Sequence, residues 1–181
     1  CVVAPVPWFP FRGKRFGVYA TYARVPEREE RYGIRIEHPR FVRLPKVGMN
    51  RAPGSMAKAS RPVLAEILKQ GFDFDLIDAH YFYPDGVAAI QLGEWFNKPV
   101  VITARGTDIN VIPDFEKPRQ QIIQAADSAA GIITVSAALK ERLVDLGAAK
   151  NKITVLRNGV DLSFFHPAEH RERLRQSLGI R

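Results

Sequence analysis

The chain has 181 residues, of which 46% are hydrophobic and 25% are charged. This composition is typical of a globular domain and excludes a disordered or fibrous chain. No apolar run approaches the roughly 18 residues that a membrane-spanning helix requires. The single cysteine, Cys1, excludes a disulfide within the chain and is compatible with a reducing cytoplasm.

The net charge of +8 is concentrated in one segment. Residues 12–61 contain 13 basic and 4 acidic residues, a balance of +9, and the rest of the chain has 14 basic and 15 acidic residues, a balance of −1. The segment is rich in proline and has neither a recognisable reading helix nor a zinc-ligand spacing, so no nucleic-acid partner is expected. It could face anionic lipid head groups, meet a phosphate-bearing ligand, or simply be solvated.

Short apolar runs rich in β-branched residues predict five strands. In chain order they are residues 1–4, 76–77 leading to His80, 100–103, 132–135 and 153–156. The region from 11 to 56 is different, because only residues 34–37 and 41–44 suggest short strands there. We interpret it as a long insertion or lid, since long irregular segments in compact domains are usually functional or mobile.

Segments of helical length separate the later strands. One helix is predicted over residues 62–70, and a second begins at Pro84 with Asp85 in its first turn. A third follows Ser136 as N-cap and carries a leucine stripe that ends at Gly147. Continuous apolar strands alternating with amphipathic helices predict an open, doubly wound parallel α/β sheet.

Unusual polar residues follow the predicted strand ends, where ligands bind in open α/β sheets. Two arginines, a histidine and short polar side chains beside helix N-termini suit an anionic or polyhydroxyl ligand. In chain order the candidates are His80, then Arg105, Gly106, Thr107 and Asp108, then Ser136, then Arg157, Asn158 and Gly159.

Arg105 and Asp108 are the candidates that packing explains least, because the nearby strand gives them no packing role. For most of the other candidates the sequence leaves a simpler alternative. These alternatives are a backbone partner for a buried His80, a helix cap at Ser136, a positive φ at Gly106, a tight turn at Asn158 and Gly159, and a surface charge at Arg157.

Several common kinds of active site are not indicated. The four histidines are scattered, and only one lies at a predicted strand end, so no metal site is predicted. The sequence has no P-loop, no G-x-G-x-x-G and no G-x-S-x-G. For these residues, this excludes a nucleotide hydrolase, a dinucleotide-dependent oxidoreductase and an α/β-hydrolase.

Four stretches follow one another along the chain: FDLIDAHYFYPDG, KPVVITARGTDIN, ADSAAGIITVSAALKERLVDLG and KITVLRNGVDLSFFHP. Together they resemble the N-terminal domain of the family 4 retaining glycosyltransferases, which have the GT-B architecture of two facing Rossmann-like domains. The resemblance is close over residues 72–167. Its most specific part is NGVD followed by F-x-P within residues 158–167.

The resemblance implies a Rossmann-like, acceptor-side domain over residues 1–167. Residues 168–181 would then lead, through a helix near 169–178, to a C-terminal donor-binding domain that this chain lacks. It also implies that the family's first strand and helix precede residue 1. We expect this chain alone to be inactive, because one domain cannot assemble a cleft formed by two.

The implied reaction is transfer of a sugar, with retention, from a nucleotide-sugar donor to a glycan or lipid acceptor. The nucleotide sugar is a substrate, bound mainly by the other domain, and no cofactor is implied. A cytoplasmic enzyme is expected, with a peripheral contact between residues 12–61 and an anionic membrane. The alternatives are a non-catalytic GT-B module that binds carbohydrate or phosphate and a GT-B sugar-nucleotide epimerase.

One position departs from the family pattern. Relatives commonly have T-x-H-G where this chain has TARG, so Arg105 replaces a histidine near the donor sugar. An arginine stays charged and cannot act as a general base, but it can bind phosphate or sugar hydroxyls. Arg105 and Asp108 are therefore predicted to act in the cleft beneath the donor sugar, with His80 and Asn158 on the same wall.

Overall fold

The computed structural model describes residues 1–43, 48–167 and 170–180. Its strands are β1 (Val2–Val3), β2 (Val6–Pro7), β3 (Arg28–Arg31), β4 (Ile34–Glu37), β5 (Arg40–Phe41), β6 (Ile77–His80), β7 (Val100–Ala104), β8 (Gly131–Thr134) and β9 (Ile153–Val155). Its helices are α1 (Val18–Tyr22), α2 (Ala52–Lys69), α3 (Val87–Phe96), α4 (Thr107–Asn110), α5 (Glu116–Ser128), α6 (Ala137–Asp145) and α7 (Arg171–Ser177). In these described ranges, no helix combines the length and the apolar character needed to cross a bilayer.

The main sheet has four parallel strands in the order β6-β7-β8-β9. Helices connect each strand to the next, which confirms the predicted α/β architecture. Ile102 of β7 and Ile132 of β8 pack with Ile122 of α5 and Leu143 of α6 in one buried core. Because helices cover β7 and β8, the sequences of these two central strands are continuous apolar runs, and this is why they were predictable.

The region predicted as an irregular insertion contains regular structure. β4 pairs in parallel with β1 and antiparallel with β3, and β5 pairs in parallel with β2. β4 coincides with the strand predicted over residues 34–37. β5 is shorter and starts earlier than the strand predicted over 41–44, and residue 44 lies outside the described residues.

β3 was missed because its sequence, REER, has no apolar alternation. It pairs with β4 in antiparallel register, and one ion pair joins the two strands: Arg28 Nε lies 2.6 Å from Glu37 Oε1. Arg35, which is on β4 itself, lies 2.5 Å from the same oxygen through Nε. His38, which follows β4, bonds the carbonyl oxygen of Ala4 through Nδ1 at 2.9 Å. β3 is therefore held by its pairing with β4 and by a charge pair between the two strands, and not by an apolar face of its own.

The helix predicted over residues 62–70 begins ten residues earlier, as α2. Pro62 predicts a helix start, because proline in a helix interior removes a hydrogen bond and crowds the preceding turn. In the structure Pro62 lies inside α2. Met56, which precedes Pro62, and Leu64, which follows it, both pack in a second buried cluster. This tertiary packing outweighs the cost of a proline inside the helix.

Two other helix boundaries also differ from the prediction. α3 begins at Val87 and not at Pro84, because a wider turn of π type, Phe82–Gly86, precedes it. The helix predicted near residues 169–178 is present as α7, although residue 169 lies outside the described residues. Its role as a linker stays a prediction.

Two helical glycines give a test of this packing. A Cβ on Gly93 would lie 2.5 Å from Val100 Cγ2 and 2.8 Å from the Lys98 carbonyl oxygen, whereas at Gly54 the nearest atom, Gln91 Oε1, would be 3.8 Å away. We expect Gly93→Ala to lower the free energy of unfolding by about 2 kcal/mol. Gly54→Ala should leave it unchanged or raise it by up to about 1 kcal/mol. Urea denaturation measures both, and equal effects would contradict the close approach of α3 to β7.

Candidate functional site

The carboxyl ends of β6 to β9 lie side by side at one edge of the main sheet. Their register pairs His80 with Thr103, Ala104 with Thr134, and Thr134 with Val155. The candidates predicted from the sequence lie at these ends or within a few residues after them, so the structure brings them to the same edge.

Three polar side chains are connected at the ends of β6 and β7. Nη2 of Arg105 lies 2.5 Å from Nδ1 of His80, and Nε2 of His80 lies 3.2 Å from Oδ2 of Asp78. Because a guanidinium can only donate, His80 accepts through Nδ1 and donates its Nε2–H to Asp78. Asp78 therefore orients the imidazole, and the imidazole orients the Arg105 guanidinium.

These three connected side chains are open to solvent. The side chains of His80 and Asp78 are 54% and 52% exposed, so the alternative of a buried His80 bonded to the backbone is wrong. Asp78 is not among the residues predicted from the sequence. Alternation along a strand could have found it, because residues two apart on a strand point to the same face.

Asp108 has a different position from Arg105. It is 0% exposed, and its carboxylate accepts hydrogen bonds from the backbone N–H groups of Phe82 at 2.6 Å, Gly106 at 2.6 Å and Arg105 at 3.1 Å. This burial differs from the expectation that Asp108 lines the cleft. The carboxylate instead holds the loop that carries Arg105 against the segment after β6.

Gly106 and Thr107 complete this loop. The positive φ expected at Gly106 is present, at 147°, and side chains other than hydrogen are strained there. No atom lies within 4 Å of a Cβ added at Gly106, so the backbone angle and not the space requires glycine. Thr107 is exposed and begins α4.

The remaining candidates lie after β8 and β9. Ser136 caps α6, as predicted, because its Oγ accepts a hydrogen bond from the Leu139 N–H at 3.3 Å. Arg157, Asn158 and Gly159 are exposed. The described residues 156–161 form no turn, so the alternative of a tight turn at Asn158 and Gly159 is wrong.

A cavity of about 660 Å³ lies between β1, α2, β6 and α3, and it reaches Asp78, His80 and Asp85 at the site edge. The pKa of Asp85 is raised to about 6, mainly by burial and to a smaller extent by the nearby Asp108 carboxylate. The sequence predicts only a place in the first turn of a helix for Asp85. Nowhere in the described ranges do three carboxylate, imidazole or thiol side chains converge as metal ligands would.

Asp85 gives a pH-dependent prediction. Its pKa in the folded protein lies above the ordinary value of 3.8, so the folded protein holds this proton more tightly and stability falls as the pH rises from about 4 to about 6. We expect Asp85→Asn to raise the free energy of unfolding by about 1–2 kcal/mol at pH 7. The difference should shrink towards zero near pH 4. Denaturation at both pH values tests this, and a difference independent of pH would contradict the raised pKa.

The sequence has relatives among named proteins. Residues 9–164 match the sequence model of a family described as Glycosyltransferase Family 4. The chain is 31% identical over 157 residues to the proposed teichuronic acid biosynthesis glycosyltransferase TuaC of Bacillus subtilis (strain 168), covering 86% of this chain and 39% of TuaC. It is 26% identical over 161 residues to the D-inositol 3-phosphate glycosyltransferase of Kineococcus radiotolerans, covering 82% of this chain and 36% of that protein.

Solved structures share the fold. HepE of Anabaena in complex with UDP superimposes with a TM-score of 0.57 at 18% identity, over 99% of this chain and 50% of HepE. HepE in complex with UDP-glucose gives a TM-score of 0.53 at 19% identity, over 97% of this chain and 42% of HepE. The chain therefore spans half or less of each of these proteins.

Proposed function

Because this chain belongs to Glycosyltransferase Family 4, we propose that it is the acceptor-side domain of a glycosyltransferase that acts with retention. The full-length enzyme transfers a sugar from a nucleotide-sugar donor to a glycan or lipid acceptor. The match over residues 9–164 carries this proposal. The names of the two relatives, both glycosyltransferases, support it.

The donor is a nucleotide sugar in this proposal, and no separate cofactor takes part. HepE, whose fold this chain shares, was solved with UDP and with UDP-glucose. This supports a nucleoside-diphosphate sugar as the donor class. UDP-glucose is therefore the first donor to test.

Arg105 acts on the donor in the proposed reaction. The bond between the anomeric carbon and the leaving phosphate oxygen breaks, and the acceptor hydroxyl oxygen bonds to the same face of that carbon. The acceptor proton passes to the leaving diphosphate. The permanent positive charge of Arg105 stabilises the negative charge that develops on the phosphate, whereas an arginine cannot take the proton itself.

The other candidates act around Arg105 in this proposal. His80 and Asp78 orient the guanidinium through their hydrogen bonds. Asp108 acts through the backbone, by fixing the loop from Arg105 to Gly106. The proposed substrate-binding residues along the edge are His80, Gly106, Thr107, Ser136, Arg157, Asn158 and Gly159.

The acceptor side of the enzyme is assigned to this chain. We propose that the isolated chain does not turn over a donor, since it spans only 39% of TuaC and 36% of the inositol phosphate enzyme. A lipid acceptor would bring the enzyme to a membrane. The charge of residues 12–61 supports a peripheral contact with an anionic, cytoplasmic membrane face.

The proposal is tested with the full-length protein, a panel of nucleotide sugars and a panel of glycan and lipid acceptors. Mass spectrometry follows release of the nucleoside diphosphate, and NMR gives the anomeric configuration of the product. Release that depends on the acceptor, with the donor configuration kept, is the expected result. Saturable donor binding without release would indicate a non-catalytic binding module, and an altered free nucleotide sugar would indicate an epimerase.

A further inference from the structure

Residues 8–19 form an exposed surface that combines aromatic and basic side chains. Its apolar members are Trp8, Phe11, Val18 and Tyr19, which are 56%, 52%, 67% and 46% exposed. Its basic members, all exposed, are Arg12, Lys14 and Arg15. We call these seven residues the aromatic-basic surface.

The aromatic rings of this surface support one another. Phe11 stacks on the half-buried Phe16, with ring centroids 5.0 Å apart, and the Arg15 guanidinium lies 4.8 Å from the centroid of the Phe16 ring. Phe9 packs against Phe11 and Tyr19 at 5.9 and 5.4 Å. The exposed rings of Phe11 and Tyr19 are therefore joined through Phe9 into one patch, and the exposed Trp8 directly precedes Phe9 in the chain.

The polypeptide beneath the patch is held by hydrogen bonds to β5 and by one within residues 12–24. The N–H of Trp8 bonds the Phe41 carbonyl at 2.7 Å. Nη1 of Arg40 bonds the Tyr22 carbonyl at 2.7 Å. Nη2 of Arg24 bonds the Arg12 carbonyl at 2.9 Å. These hydrogen bonds therefore hold the patch in a defined position.

The structure shows where the unbalanced charge of residues 12–61 lies. Glu37 pairs with Arg28 and Arg35, and Glu29 pairs with Arg31, so part of the basic charge is neutralised within β3 and β4. Residues 1–26 contain no aspartate or glutamate. The basic members of the aromatic-basic surface form no ion pair within the described residues. The surface is therefore a concentrated site of positive charge.

We propose that the aromatic-basic surface docks the enzyme onto an anionic lipid bilayer. Basic side chains are attracted to anionic head groups, and tryptophan and tyrosine favour the boundary between head groups and acyl chains. Exposed Val18 and Phe11 add apolar area that enters this boundary. The inference deepens the proposed function, on which it rests, by assigning the membrane contact of residues 12–61 to one surface.

The test is flotation of the full-length protein with two kinds of vesicle, at low and at high salt. One kind contains phosphatidylcholine alone, and the other contains phosphatidylglycerol as about a third of the lipid. We expect binding only with the anionic lipid, and weaker binding at high salt. Lys14→Glu with Arg15→Glu should weaken binding about tenfold or more. Lys117→Glu with Lys150→Glu makes the same charge change at exposed residues elsewhere and should have little effect.

Three further measurements separate the possible outcomes. Hydrogen exchange should show protection of residues 8–22 on anionic vesicles. The Trp8→Ser, Val18→Ser variant should bind these vesicles more weakly, and the remaining binding should still depend on salt. Donor turnover with a water-soluble acceptor should be the same in the Lys14→Glu, Arg15→Glu protein, so failure of docking and failure of transfer are distinguishable. Vesicle binding that does not depend on anionic lipid would overturn the proposal, and so would an equal loss of binding in the two charge variants. Self-association lost in the Trp8→Ser, Val18→Ser protein, without vesicle binding, would assign the surface to a second copy instead.

Discussion

Replacing Asp108 by alanine is expected to lower the free energy of unfolding by about 3–5 kcal/mol. The variant leaves the backbone N–H groups of Phe82, Arg105 and Gly106 without their acceptor, in a place where Asp108 is 0% exposed. Water cannot replace a carboxylate there without rearrangement. Urea denaturation of the wild type and the variant measures the loss.

Asp145→Ala is the matched control, because Asp145 is exposed at the end of α6 and its loss should change stability by less than about 0.5 kcal/mol. Asp108→Asn keeps the shape of the side chain but turns an amide N–H₂ towards backbone donors. It should therefore also destabilise the protein and reduce transfer through displacement of Arg105. Wild-type stability in Asp108→Ala would contradict the role given to this carboxylate.

Replacing Arg105 by alanine is expected to lower kcat/KM for sugar transfer by ten- to a thousandfold, about 1.4–4 kcal/mol of transition-state stabilisation. The reason is the loss of a permanent cation at the edge where four strands end. Arg105→Lys keeps the charge but loses the planar set of donors that reaches His80, so partial activity is expected. Steady-state kinetics of the full-length enzyme measure both variants.

Arg142→Ala is the control for this prediction. Arg142 lies in the last turn of α6, away from the carboxyl ends of the strands, and its loss should leave kcat/KM unchanged. Full activity in Arg105→Ala would remove Arg105 from the site. Equal losses in the two arginine variants would indicate a general effect of lost charge.

The parallel sheet was predictable because its signal is local. β7 and β8 are continuous apolar runs, and the helix after Ser136 has a cap and a leucine stripe. β3 was not predictable in this way, since REER has no apolar pattern and the strand depends on its pairing with β4, which includes one ion pair between Arg28 and Glu37. The predicted start of α2 was wrong, because Pro62 strongly favours a helix start locally and the packing of Met56 and Leu64 overrides this preference.

The candidate site divides in the same way. The positions of Arg105 and Asp108 followed from the rule for strand ends. The burial of Asp108 did not, because its partner Phe82 lies 26 residues away in the chain. Asp78 has an ordinary place on β6, and only the contact of His80 with Arg105 gives it a role.

The most direct test of the account is one kinetic cycle on the full-length enzyme. It compares kcat/KM for transfer in the wild type, Arg105→Ala, Asp78→Asn and the double variant. If Asp78 acts by orienting Arg105 through His80, Asp78→Asn should lose part of the activity, and the double variant should lose no more than Arg105→Ala alone. If Arg105→Ala keeps the full kcat/KM of the wild type, the connected side chains at the ends of β6 and β7 take no part in sugar transfer.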